Sequence, residues 1–293
     1  MTGHSLPIAR MQGSSMQITS AQNPRFKALR SLRLRKYRQR EGLFLIEGIR
    51  IVEEALTGGA PVETLVYAPE LLVSHRAQAL LERVEPAQHL ALSGDLFRTL
   101  SQRDDPQGIA ATIRIQDPTL SEIPLVDDLL VIVAHQLRDP GNLGTIIRTA
   151  DATGATGVVV VEPSVDLYDP QAVRATMGSL FALPIVRLAD ETLLFRWFEE
   201  IRATGLPLHV VASSARGDQL HYEADYRLPL LLLVGSERHG LPQHLRDSAD
   251  IRVRLPMVGR ATSLNVAAAT AALVYEIVRQ RAIPAELGIS PQP

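Results

Sequence analysis

Hydrophobic positions fall into short unbroken runs in the second half of the chain. Leu129–Ala134 (LLVIVA), Gly157–Glu162 (GVVVVE) and Pro229–Gly235 (PLLLLVG) have almost no polar interruption. Runs of this length without alternation predict strands buried on both faces. LPIVRL, PLHVVAS and IRVRLPM predict further strands. Between them NLGTIIRTADATG, PQAVRATMGSLF and ETLLFRWFEEIRATG carry helical patterning, and a last helix starts near Asn265. Strand and helix alternating in this way predict an α/β fold with a parallel sheet covered on both sides. Ligands of such sheets bind beyond the carboxyl ends of the strands.

The first half is patterned more weakly. GLFLIEG, VETLVYA, HLALS and GIAATIRI predict strands, and IRIVEEAL, HRAQALLERV and GDLFRTLSQ predict helices. They follow a basic helix and form a smaller α/β unit. QDPTLSEIPLVDD is rich in Pro and acids without periodicity and reads as a linker. The expected organisation is a flexible leader over 1–16, a first domain over 17–116, a linker over 117–127, a second domain over 128–282 and a tail over 283–293.

Composition removes several classes. A chain of 293 residues, 46% hydrophobic and 21% charged, has an ordinary globular balance and accommodates two domains. It has no cysteine, which excludes disulfides, thiolate metal sites and cysteine nucleophiles. The histidines are scattered and His-Glu-x-x-His is absent, so no metal is expected. No apolar run suffices for a membrane span and the N-terminus lacks the apolar core of a secretory signal, so a cytoplasmic protein is expected. The net charge of −2 carries no global basic signature, but RFKALRSLRLRKYRQR, from Arg25 to Arg40, contains no acid. Arg25, Lys27, Arg30, Arg33, Arg35 and Lys36 either form a solvated helix face or contact the phosphates of a nucleic acid.

Three polar clusters each follow a predicted strand. In RDPGNLGTIIRTADATGA, Asn142 is placed to cap a helix and Gly144 to allow close approach. Arg148, inside that helix, needs a carboxylate or a phosphate for its planar fork. In LLLLVGSERHGLP, Gly235 and Gly240 flank Glu237, which suggests a tight loop with exposed backbone; an ordinary strand-to-helix turn has the same look. In RLPMVGRATSLNVAAATAAL, Ser263-Leu264-Asn265 precedes an alanine-rich helix. One helix cap needs only one of the two polar residues. The dinucleotide fingerprint G-x-G-x-x-G and the phosphate loop G-x-x-x-x-G-K-[ST] are absent. G-x-S-x-G is not met at Ser236, which argues against a serine hydrolase.

In this order, the clusters resemble the SpoU/TrmH family of RNA ribose 2′-O-methyltransferases, within the SPOUT superfamily. Asn142, Gly144 and Arg148 match N-x-G-x-x-x-R; Gly235, Glu237, Gly240 and Leu241 match G-x-E-x-x-G-[LM]. Leu255-Pro256-Met257 and Ser263-Leu264-Asn265-Val266 match [IL]-P-M and S-L-N-V. The segment from ITSAQNPRF to VEEAL, with DPQGIAA, is similar to the substrate-binding domain of many members. Leu255 stands where isoleucine is common and Ala267 where serine often follows.

The resemblance implies a deep C-terminal trefoil knot, with the thin alanine-rich helix packed where chain passes through chain. It implies S-adenosylmethionine, held by Gly235, Leu255, Leu264 and Met257. It also implies a catalytic set of Arg148, Asn142, Glu237, Ser263 and Asn265, an RNA substrate bound by the front domain, and a homodimer through the knotted domain. Large-subunit (23S-type) ribosomal RNA is favoured over transfer RNA. A transfer RNA enzyme and a non-catalytic RNA-binding member are the alternatives.

Overall fold

The apolar runs of the second half lie side by side in a computed structural model that describes residues 17–85 and 88–282. The expected leader and tail, 1–16 and 283–293, lie outside the described residues. The chain divides into two units, Met1–Ile115 and Gln116–Pro293.

In the first unit, helices α1 (Pro24–Ser31) and α2 (Arg35–Glu41) precede strand β1 (Leu43–Glu47). Helix α3 (Ile49–Thr57), strand β2 (Val62–Tyr67), helix α4 (His75–Leu81), strand β3 (His89–Ala91), helix α5 (Gly94–Leu100) and strand β4 (Ile109–Arg114) follow. The sheet order is β1-β4-β2-β3, with β4 antiparallel to both neighbours and β2 parallel to β3.

The basic stretch departs from expectation. It is two helices broken at 32–34, not one. Arg38 is only 2% exposed, and its guanidinium donates to the carbonyls of Leu32 and Arg33 at the break, each at 2.8 Å. A long arginine with several donors satisfies the carbonyls that the interrupted helix leaves open.

In the second unit, seven parallel strands take the order β7-β6-β5-β10-β8-β11-β9. They are β5 (Leu130–His135), β6 (Gly157–Val161), β7 (Ile185–Leu188), β8 (His209–Ser213), β9 (Gln219–Leu220), β10 (Leu230–Val234) and β11 (Ile251–Arg254). The helices are α6 (Pro140–Ala152), α7 (Pro170–Thr176), α8 (Glu191–Ala203), α9 (Gln243–Asp247) and α10 (Val266–Arg281). Val131 and Val133 of β5 share a core with Trp197, Phe198 and Ile201 of α8 and Leu245 of α9.

Helix α7 is shorter than its pattern predicts, because Met177 (φ 53°) and Gly178 (φ 107°) turn left-handed and end it. The 116–128 segment is not a bare linker: Ile123 is buried in the second unit's core, and the Tyr168 hydroxyl donates to the carbonyl of Gln116 at 2.8 Å.

Winding proceeds from β5 to β6 and β7 on one side, while β10 and β8 lie on the other. The reversal between β5 and β10 is the topological switch point of the sheet, and polar side chains gather beyond the carboxyl ends there.

Candidate functional site

Two adjacent strands deliver the site. Strand β5 leads through residues 136–139 into α6. Its parallel neighbour β10 leads into the 235–242 loop. Asp139 caps α6, accepting the Asn142 N–H at 2.7 Å, with Pro140 at the first helical position. The expectation that Asn142 would be the cap is therefore corrected. Asp-Pro is the signature of a helix start and marks the cap three residues earlier. Freed from capping, the Asn142 side chain points elsewhere.

Its Nδ2 donates to Glu237 Oε1 at 2.7 Å, and its Oδ1 accepts from Asn265 Nδ2 at 2.8 Å. Asn265 turns its own Oδ1 to the Ala267 and Ala268 N–H groups at 2.9 and 3.2 Å, capping α10. Glu237 Oε2 accepts the Arg138 N–H at 3.4 Å. One hydrogen-bonded chain thus runs from the main chain of Arg138 through Glu237, Asn142 and Asn265 into the N-terminus of α10. Glu237, an acceptor only when ionised, fixes the orientation of the Asn142 amide, and Asn142 fixes that of Asn265.

Two of the motif glycines, Gly144 and Gly235, have steric reasons. A Cβ on Gly144 would lie 2.4 Å from the Ala172 carbonyl oxygen, so this glycine lets α6 and α7 meet. A Cβ on Gly235 would lie 2.1 Å from the Gly240 carbonyl carbon, where the loop folds back and Gly240 N–H bonds Ser236 O at 2.8 Å. Gly235 thus permits a loop that presents Glu237 outward.

Arg148 is exposed on α6 and has no hydrogen bond or ion pair with any described residue. A structural carboxylate partner is therefore not what holds it. Ser263 is likewise exposed and unbonded among the described residues. Of the alanines beyond it, Ala267 is buried with Thr270, whereas Ala268 and Ala272 are exposed. Helix α10 packs against α6.

Of the cofactor candidates, Gly235 follows β10, while Leu255, Met257 and Leu264 sit on the loop after β11. No backbone hydrogen bond involves residues 255–264 among the described residues. Met257 and Leu264 stay 36% and 47% exposed. Free main-chain donors and acceptors beside exposed apolar side chains suit an adenosine group, whose base has a polar edge and apolar faces. The residues present fit S-adenosylmethionine.

The basic candidates in the first unit divide. Arg25, Lys27, Arg30, Arg35 and Lys36 are exposed. Arg33 is not free: its Nη2 donates to the carbonyls of Thr99, Leu100 and Ser101 at 2.9, 2.6 and 3.3 Å, closing the end of α5.

A cluster that sequence reading missed lies at the end of β5. The Glu191 carboxylate bonds the buried His135 Nε2 at 2.7 Å and also His244 Nε2. Burial pushes its carboxyl up, but the bonds from His244 and His135 outweigh that and hold it below its ordinary value. No sequence spacing signals this cluster, since its members come from three separate elements.

The geometry has counterparts in known proteins. Residues 129–275 match the model of the SpoU rRNA Methylase family. The chain belongs to that family. Residues 23–111 match the MRM3-like substrate binding domain. This SpoU chain is 38% identical over 280 residues, 94% of it and 97% of its relative, to a 23S rRNA (uridine(2479)-2′-O)-methyltransferase of Streptomyces viridochromogenes. It is 32% identical over 261 residues, 89% of it and 98% of its relative, to the 23S rRNA (guanosine(2553)-2′-O)-methyltransferase RlmP of Bacillus subtilis (strain 168). Among solved structures it is similar to the SpoU methyltransferase AviRb from Streptomyces viridochromogenes in complex with the cofactor AdoMet. The TM-score is 0.83 at 38% identity, covering 89% of this chain and 98% of that one.

Proposed function

We propose that this SpoU methylase transfers a methyl group from S-adenosylmethionine to a ribose 2′-hydroxyl of large-subunit ribosomal RNA. The observation that carries the reading is the Glu237–Asn142–Asn265 chain at the switch point, with Arg148 further along α6 bearing no side-chain partner among the described residues. The names of the full-length relatives support large-subunit RNA over transfer RNA.

Bound S-adenosylmethionine supplies a methyl group already activated on a sulfonium, so the protein's task is positioning and charge management. Gly235, Leu255, Met257 and Leu264 hold the cofactor in this reading. Asn142, Ser263 and Asn265 orient the ribose by hydrogen bonds, with Glu237 holding the Asn142 amide. Arg148 stays protonated, since a guanidinium does not give up its proton in proteins. It therefore stabilises the developing 2′-alkoxide and clamps an adjacent phosphate rather than serving as base; as the O–CH3 bond forms and the S–CH3 bond breaks, the 2′-hydroxyl proton leaves to solvent. The exposed Arg25, Lys27, Arg30, Arg35 and Lys36 contact RNA phosphates, which orient without reading sequence. A homodimer through the C-terminal domain, and a trefoil knot within it, belong to the same reading.

The experiment is transfer of labelled methyl from S-adenosylmethionine to RNA from cells lacking this protein, with ribosomal and transfer fractions separated. Label in large-subunit RNA, at linkages resistant to nuclease through 2′-O-methylation, is expected. Label confined to transfer RNA would replace the substrate. Cofactor binding without label in either fraction would favour a non-catalytic RNA-binding member.

A further inference from the structure

Several arginines of the second unit away from the site are tied to acids. Arg187 pairs with Asp117, Arg202 with Asp250 at 3.2 Å, Arg252 with Asp218 at 2.6 Å and Arg279 with Glu276 at 2.7 Å. Arg138 and Arg238 are both exposed, and neither guanidinium has a hydrogen bond or ion pair with any described residue.

They nevertheless flank one carboxylate. Arg238 follows Glu237 in the chain, and the Arg138 main-chain N–H bonds Glu237 Oε2. Glu237 and Asp139 accept from the Asn142 amide, the Arg138 main-chain N–H and the Asn142 N–H, and neither carboxylate forms an ion pair with Arg138 or Arg238 among the described residues. Exposed guanidinium groups with no carboxylate bound to them attract an incoming anion, and a guanidinium fork matches a phosphate.

We propose that Arg138 and Arg238 form a phosphate grip on the catalytic unit itself, holding the RNA backbone next to the target ribose. The proposal rests on the RNA-methyltransferase reading. It adds a binding site separate from the basic helices of the first unit and from Arg148. The grip carries no base information. It sets the register of the strand over the Glu237–Asn142–Asn265 chain, so that the target ribose presents its 2′-oxygen there.

The test uses the full-length protein, its Arg138→Gln/Arg238→Gln double variant, and protein-free large-subunit ribosomal RNA from cells lacking this protein. RNA affinity is measured across a series of KCl concentrations, with S-adenosylmethionine affinity and methyl transfer measured in parallel. The double variant is expected to bind RNA about tenfold more weakly at low salt. Its log–log salt slope should be shallower by about 1 to 1.5, as loss of two single-strand phosphate contacts requires. Cofactor affinity should stay within about twofold, and the loss of activity should fall on KM rather than kcat.

Unchanged RNA affinity and slope would overturn the grip, as would a parallel loss of cofactor affinity. If the parent protein binds RNA but transfers no methyl, the enzymatic reading fails while the salt slope still decides the grip. If the parent protein binds no RNA, both fall. Should the double variant misfold, the single variants at these exposed positions are expected to show about half the change in slope each.

Discussion

Asn265 donates from Nδ2 to Asn142 Oδ1 at 2.8 Å while its Oδ1 caps α10. One side chain serves fold and site through different atoms, so the two roles separate by substitution. Asn265→Asp keeps an acceptor for the cap but loses the donor to Asn142 and adds charge near Glu237. Thermal stability should change little, while methyl transfer falls at least tenfold. Asn265→Ala removes both roles and should also lose about 1 kcal/mol of stability. Thermal denaturation alongside labelled-methyl assays checks both; equal activity in Asn265→Asp would show that the amide donor is dispensable.

The Arg148 side chain is exposed on α6 and has no partner among the described residues, so its removal leaves no buried charge among them. Arg148→Ala should fold normally and bind S-adenosylmethionine within about twofold of the parent. Methyl transfer should fall by about 100-fold or more, the usual effect of deleting a group that stabilises developing charge. Calorimetric cofactor titration with a turnover assay checks this, and a large drop in cofactor affinity would reassign the residue.

Gly144 lies where α6 meets the α7 backbone. Gly144→Ala would place a methyl group 2.4 Å from the Ala172 carbonyl oxygen and 2.6 Å from Ala175 Cβ. The helices must separate, at a cost of about 1–3 kcal/mol. Because α6 also carries Asn142 and Arg148, activity should fall even at temperatures where the variant stays folded. Denaturant unfolding and assays at low temperature test the two effects; unchanged stability would mean that the helices yield freely.

Glu191 makes its contribution depend on pH. Its carboxyl is held below its ordinary value in the folded chain, because bonds from His244 and His135 outweigh the opposing effect of burial. The ionised form therefore adds stability above the unfolded-state pKa, about 4.3 for glutamate. That contribution disappears as pH falls through the lower folded-state value. The melting-temperature gap between the parent protein and Glu191→Gln should be widest near neutrality and should close below about pH 4. A gap that stays constant into acid would show that shape, not charge, holds the cluster together.

Much of the architecture was legible because burial writes itself into composition. Runs such as Leu129–Ala134 and Pro229–Gly235 can only be strands covered on both faces, and they became β5 and β10. The alanine-rich stretch read correctly as a helix capped by one of Ser263 and Asn265, and the structure selects Asn265. Elements held by distant contacts were not legible. Strand β9 has two residues and exists only because β11 pairs with it. The break in the basic stretch is sealed by the Arg38 guanidinium, and the Arg33 guanidinium is held by the end of α5, which comes within its reach. Local propensity contains neither fact.

By itself the sequence determined which residue types stand at the ends of which strands, and the spacing within each cluster. Periodicity and turn chemistry are local, so they survive in a one-dimensional string. The tertiary structure alone decided that Asn142 meets Glu237, 95 positions away, and Asn265, 123 positions away. That meeting depends on the parallel register of β5 with β10 and on α10 packing against α6. Both are set by the shared burial of apolar faces far from the polar atoms they align.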